Sequence, residues 1–209
     1  MVHLLNEVVM SFKQDGYFVI REFLNQDFVE FIQQYFFLRI QSGEKVDYGS
    51  PQAAKAFEIY SDPLVETILN SSCDYFSEVT GINLLPTYTY SRLYQKDDEL
   101  KSHIDREACE VSVTLALGLP EGEEINPICF SKTKDMKNAI EIMLNPGDVC
   151  IYKGCDLWHW RPPFTQKWYL QAFLHYVNAN GPHKNCKYDE RTNLNMAPAR
   201  TARSGLLSL

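Results

Sequence analysis

The feature that most constrains this chain is a change of hydrophobic period near residue 83. Before it apolar residues recur at helical spacing; from Leu85 onward they alternate with polar ones, as a half-buried strand requires. Leu4, Leu5, Val8, Val9 and Phe12 form one helical stripe over residues 3–14, and Gly16 ends it before the strand-like Tyr17-Phe18-Val19-Ile20. Asn25 or Gln26-Asp27 can cap a second helix, with Phe28, Phe31, Ile32, Tyr35 and Phe36 as its stripe. Residues 50–60 and 62–80 read as two further amphipathic helices, the latter carrying Leu64, Ile68, Tyr75, Phe76 and Val79. Strand-like runs follow at 88–94, 109–117, 125–130, 139–144, 149–152 and 168–177, rich in β-branched and aromatic residues and joined by short turns. A helical block followed by closely spaced strands predicts an α+β fold: a β-sandwich or jelly-roll barrel with helices bracing one sheet.

At 209 residues there is room for one domain with a sizeable core, and no repeat or linker divides it. The 20 Lys and Arg against 27 Asp and Glu give a net charge of -7, which argues against a surface built to neutralise phosphate. No nucleic-acid partner is expected. Apolar runs are short, and Asn6, Glu7, Lys13 and Asp15 interrupt the region where a signal peptide would need an unbroken one. The expectation is a soluble cytoplasmic protein with no membrane partner. Six cysteines without a C-x-x-C pair are expected to be free thiols in a reducing compartment. Residues 179–209 form a polar tail holding Gly181, Pro182, Pro198 and Gly205. Lys184, Lys187, Arg191, Arg200 and Arg203 against Asp189 and Glu190 leave it basic. It is expected to be a mobile arm or a flap over substrate, and to meet any acidic substrate.

The five histidines are His3, His103, His159, His175 and His183. His103-Ile104-Asp105 puts an imidazole and a carboxylate on one face of a strand, where both can reach one metal. Tyr94 and a charged loop precede this pair. Downstream, Asn145-Pro146-Gly147-Asp148 makes a tight turn into the strand Val149–Tyr152, and a short loop delivers Trp158-His159-Trp160-Arg161. In a jelly roll a late strand returns beside an earlier one. His159 would then complete a set of two histidines and one carboxylate with three coordination positions left open.

These residues resemble the iron(II) and 2-oxoglutarate-dependent dioxygenases, particularly the prolyl 4-hydroxylase and phytanoyl-CoA hydroxylase-like branches. The opening Asp15-Gly16-Tyr17-Phe18-Val19-Ile20-Arg21-Glu22-Phe23-Leu24, the His-x-Asp pair, the Pro-Gly-Asp turn and a histidine eleven residues after Asp148 fall in that family's order. The resemblance implies a double-stranded β-helix (jelly roll, cupin-like) braced by N-terminal helices. A single domain would span 1–178, with helices over 1–82 and the jelly-roll core over 83–178. It implies Fe(II) held by His103, Asp105 and His159, with 2-oxoglutarate and O2 as cosubstrates and room for ascorbate as a reductant. The reaction would couple oxidative decarboxylation of 2-oxoglutarate to hydroxylation of a C–H bond, in a prolyl or other protein side chain or in a free small molecule.

Family members usually place Arg or Lys about nine or ten residues after the distal histidine to pair with the distal carboxylate of 2-oxoglutarate. Here those positions hold Trp168 and Tyr169. The candidate anchors are Arg161, favoured for its planar fork, and Lys167. Tyr94 and Thr114 are candidates to line the cosubstrate pocket. Arg106 and Glu110 could orient Asp105 or pair with Arg161. Trp158, Trp160 and Phe164 could wall a substrate site, and His175 reads as a structural strand histidine. Two other classes compete: a zinc- or nickel-loaded cupin-like hydrolase or isomerase, and a non-catalytic scaffold that has lost its anchor.

Overall fold

A computed structural model describes residues 2–194, with side chains from Val9 onward. The side chains of Leu4, Leu5 and Val8 of the predicted first stripe, and residues Pro198, Arg200, Arg203 and Gly205 of the predicted tail, lie outside what is described. The chain opens with α1 (Val2–Asp15), β1 (Tyr17–Ile20) and α2 (Gln26–Ser42). Asn25 caps α2 by accepting from the Phe28 amide at 2.9 Å, and Gly43 ends it in the left-handed region. Two short strands, β2 (Asp47–Tyr48) and β3 (Phe57–Tyr60), precede α3 (Pro63–Ser71) and α4 (Cys73–Thr80).

Two expectations for this block are corrected. Residues 50–60 are not a helix: 50–56 form a turn-rich loop, and β3 pairs with the strand after α4, Phe57 opposite Leu93 and Tyr60 opposite Tyr90. That pairing supplies Glu58 to a buried Arg92 at 2.8 Å, a partner that a free-standing helix would not reach. Nor is 62–80 one helix. It breaks at Ser72, whose hydroxyl donates back to the Ile68 carbonyl at 2.6 Å and competes with the helical ladder.

Eight strands follow: β4 (Leu84–Gln95), β5 (Leu100–His103), β6 (Val111–Gly118), β7 (Ile128–Ser131), β8 (Ile140–Ile142), β9 (Val149–Tyr152), β10 (Trp158–Arg161) and β11 (Trp168–Asn178). They make two antiparallel sheets, ordered β1-β9-β6-β11-β4-β3-β2 and β5-β10-β7-β8. From β4 to β11 the chain winds between the two sheets, which gives the expected double-stranded β-helix. The outer face of the larger sheet buries Leu115, Ile151, Leu174 and Tyr176 against Phe12, Ile32, Phe36, Leu69 and Phe76 of the helices. Between the sheets, Phe130, Ile142, Cys150, Tyr152 and Leu157 close one end.

The Pro-Gly-Asp turn is a brace. Asp148 accepts from the Asn145 amide, the Glu22 amide and Arg21 at 2.8, 2.9 and 2.7 Å, tying β9 to the segment that enters α2. All six cysteines are free. No helix among the described residues is long and apolar enough to cross a membrane.

The expectation of a mobile arm after Asn178 is corrected for residues 179–194. A stretch of 3-10 turns over Lys184–Glu190 packs on β4 and β11. Arg106 donates two 2.8 Å bonds to the buried Asp189, which also accepts from Tyr60 at 2.7 Å. Arg191 reaches Glu66, Ser61 and the Thr87 carbonyl. These ionic contacts use the very charges that made the segment look solvent-bound.

Candidate functional site

Register places the first part of the site. His103 at the end of β5 is directly opposite His159 on β10, so both rings face the space between the sheets. Asp105 lies just past β5, its amide bonded to the Gly154 carbonyl at 2.9 Å. Its Oδ1 is 3.7 Å from His103 Nε2 and 3.6 Å from His159 Nε2, and one ligand atom from each of the three residues falls within 4.8 Å of the others. Both rings are fixed from behind: His103 Nδ1 meets the Lys101 carbonyl at 2.7 Å and His159 Nδ1 the Leu157 carbonyl at 2.9 Å. An Nδ1–H held this way leaves Nε2 as the free lone pair, the usual state of a metal-binding imidazole.

Electrostatics agree with a ligand set. Burial, helped by the neighbouring His159, pushes His103 down to about 4, so the ring is neutral at pH 7. Burial would raise Asp105, but the His159 and His175 rings and the Ser112 hydroxyl outweigh it and hold the carboxyl well below its usual range. Two imidazoles and one carboxylate on one side of an ion suit ferrous or a similar divalent metal and leave its other side open.

Alternation along β10 sorts the next residues. His159 and Arg161 point inward and are buried, while Trp158 and Trp160 take the outer face, with Lys134 Nζ 5.5 Å from the Trp158 ring. The expected wall of Trp158 and Trp160 around substrate is thus corrected. Phe164 does sit inside, stacked on Tyr94 at 4.4 Å and 5.4 Å from Tyr169, as packing for those rings.

Arg161 is 1% exposed and has no carboxylate partner among the described residues. Its Nη1 donates to the Asn126 carbonyl at 2.9 Å and its Nη2 to Gln171 Oε1 at 3.1 Å, with Thr114 Oγ1 at 3.5 Å. A buried cation contacted only by neutral groups is costly unless an anion joins it. Beside it, Arg161 Nε, Gln171 Nε2 and the Oη of Tyr169, whose ring lies 5.5 Å from the guanidinium, are buried with no hydrogen-bond partner among the described residues, as is the Oη of Tyr94, which pairs with Tyr169 across the strands. One guanidinium with orphaned hydroxyl and amide donors fits a carboxylate group, and it lies two residues along β10 from the candidate metal ligand. Lys167 is different: it is exposed, ahead of β11, and its amide is held by Glu123 at 3.0 Å.

Arg106 turns away from Arg161, to Asp189 and across the Tyr88 ring at 4.4 Å, and Glu110 accepts from the Asn178 amide at 2.7 Å. The orienting role expected of them at Asp105 belongs to others. Ser112 donates to Asp105 Oδ2 at 2.6 Å and meets His175 Nδ1 at 3.0 Å. Sequence reasoning missed Ser112, Asn126, Tyr169 and Gln171. One signal was present: Ser112, Thr114, Gln171 and His175 are polar interruptions of otherwise apolar strands.

No family model matches the sequence, and no curated protein matches it. Solved structures do match in fold. A Pseudomonas putida prolyl-4-hydroxylase is 16% identical, with a TM-score of 0.67 over 83% of this chain and 98% of its own. The non-haem α-ketoglutarate-dependent epimerase SnoN of nogalamycin biosynthesis is 14% identical, with a TM-score of 0.71 over 96% and 94%. A Trichoplax adhaerens prolyl hydroxylase in complex with a hypoxia inducible factor peptide is 13% identical, with a TM-score of 0.67 over 84% and 90%. The chain therefore has the fold of the 2-oxoglutarate and iron(II) oxygenases, prolyl hydroxylases among them.

Proposed function

We propose that this protein is an Fe(II)- and 2-oxoglutarate-dependent oxygenase that hydroxylates a C–H bond. The observation that carries the reading is the convergence of His103, Asp105 and His159 beside a buried Arg161 that has no carboxylate partner among the described residues. His103 and His159 would offer Nε2 and Asp105 its Oδ1 to iron. Arg161 would take the distal carboxylate of 2-oxoglutarate, with Tyr94 and Tyr169 donating hydroxyl protons and Thr114 and Gln171 holding the guanidinium in place. When bound, iron with 2-oxoglutarate and O2 supplies the oxidising equivalent for C–H cleavage. The chain's residues need supply no acid or nucleophile; they orient the cosubstrate, and the close-packed Tyr94, Phe164 and Tyr169 rings keep water from its far end. Lys167 is not an anchor in this reading.

A prolyl or other protein side chain is the proposed acceptor, as in the Trichoplax complex. The second reading, a free small molecule, is supported by the fuller overlap with SnoN, 96% of this chain against 83% for the Pseudomonas enzyme. Anaerobic protein titrated with Fe(II) and then 2-oxoglutarate is expected to develop a visible charge-transfer band, and to release succinate once air is admitted. Protein that binds Fe(II) but gives no band with 2-oxoglutarate would fall to the cupin-like or scaffold readings. Succinate release stimulated by proline-containing peptides, and not by metabolites, selects the first acceptor class over the second.

A further inference from the structure

The three candidate ligands are braced unequally. His103 and His159 each lean on a backbone carbonyl two residues upstream, which any sequence would provide. Asp105 leans on side chains. Its Oδ2 accepts from Ser112 Oγ at 2.6 Å, and Ser112 Oγ lies 3.0 Å from His175 Nδ1. A serine has one hydroxyl proton and an ionised carboxylate can only accept. The short contact to Asp105 claims that proton, while the Cys109 carbonyl stands 3.4 Å off. The contact with His175 is then a hydrogen bond only if the ring donates, which puts a proton on His175 Nδ1. Pairing of β6 with β11 sets Ser112 opposite His175, both are buried, and the Tyr88 ring covers the imidazole with centroids 4.5 Å apart. On the remaining side Gly154 closes the compartment, since a Cβ there would strike Asp105 Oδ2, the Cys109 carbonyl and Ser112 Oγ.

We propose that Ser112 and His175 are positioning residues for the metal-binding carboxylate. They form a donor chain, His175 Nδ1–H to Ser112 Oγ–H to Asp105 Oδ2, that fixes the Asp105 rotamer and leaves Oδ1 to the metal. The inference rests on the ligand role given above to His103, Asp105 and His159. It goes beyond that role by assigning work to a histidine and a serine that bind neither iron nor 2-oxoglutarate.

Co(II) in place of Fe(II) tests it without turnover, through its visible d–d bands and a titrated dissociation constant. Ser112→Ala and His175→Phe are expected to weaken Co(II) binding about 10- to 100-fold and to change the band pattern as the carboxylate alters its mode of binding. His175→Asn, which can return an N–H donor near the Nδ1 position, is expected to restore affinity to within a few-fold. Thermal melts of the metal-free variants report folding separately. Should Ser112→Ala fail to fold, the contrast between His175→Phe and His175→Asn decides. Folded variants that bind Co(II) with wild-type affinity and spectrum would overturn the positioning role, as would equal weakening by Phe and Asn. A wild-type protein that binds no Co(II), or binds it unchanged after His159→Ala, would instead overturn the ligand assignment beneath it.

Discussion

The two sheets bury their strands differently. Every residue of β6 and all but the ends of β11 are buried, because helices cover the outer face of the larger sheet and the smaller sheet covers its inner face. β10 in the smaller sheet buries His159 and Arg161 and leaves Trp158 and Trp160 half-exposed. Alternation alone therefore separates site from surface in β10, where one face is wet. In β6 and β11 both faces are dry, and the separation is by polarity: Leu174 and Tyr176 go to the helices, Ser112, Thr114, Gln171 and His175 to the space between the sheets. A charged or polar group on the inner side of either sheet has few neighbours to satisfy it and is a candidate for chemistry.

The largest effect expected from this contrast is at the inner face of β10. His159→Ala is expected to lower Fe(II) or Co(II) affinity more than about 100-fold, measured by titration, with succinate release lost. Near-normal affinity would place the metal elsewhere. Next, Arg161→Leu is expected to raise the dissociation constant for 2-oxoglutarate about 30-fold or more while leaving Co(II) affinity nearly unchanged. In the dry outer face of the larger sheet, Leu174→Ala is expected to cost about 2 to 5 kcal/mol in denaturant unfolding. Trp158→Ala on the wet face of β10 is expected to cost about 1 kcal/mol or less. Equal costs would erase the distinction between the sheets.

A smaller effect concerns pH. Burial lowers His175 from 6.5 to about 4 in the folded chain. The unfolded chain therefore takes up the proton first as pH falls, and stability is lost between about pH 6.5 and 4. The melting temperature of metal-free protein should drop across that window, and less steeply in His175→Phe. Smallest of all, Lys167→Ala is expected to leave 2-oxoglutarate affinity within about twofold, as for other exposed charges.

Much of this was legible in the residues themselves. Six of the eight strands from β4 to β11 overlap the runs read from the sequence, and the structure adds β5 and β10, whose pairing brings His103, Asp105 and His159 together. Residues 50–60 misled because Ala53, Ala56, Phe57 and Tyr60 sit at helical spacing, while their true partner, β4, is some thirty residues away. Trp158 and Trp160 flank His159 in sequence and oppose it in space, since neighbours on a strand face opposite ways. The hydrogen bonds around Arg161 and Asp105 join residues 7 to 63 positions apart, and only register reveals which polar residues meet.

The docking of residues 184–191 bears on where this molecule could be shortened. Glu66 is buried and receives Arg191, and Arg106, the residue after Asp105, holds Asp189. A polypeptide ending at Asn178 would keep every strand of the jelly roll, yet it would strand a carboxylate in a dry interior and release the neighbour of a candidate ligand. The ionic contacts on this side of the fold thus run through Arg191. Shortened variants of this protein should respect an ionic boundary thirteen residues beyond the last strand.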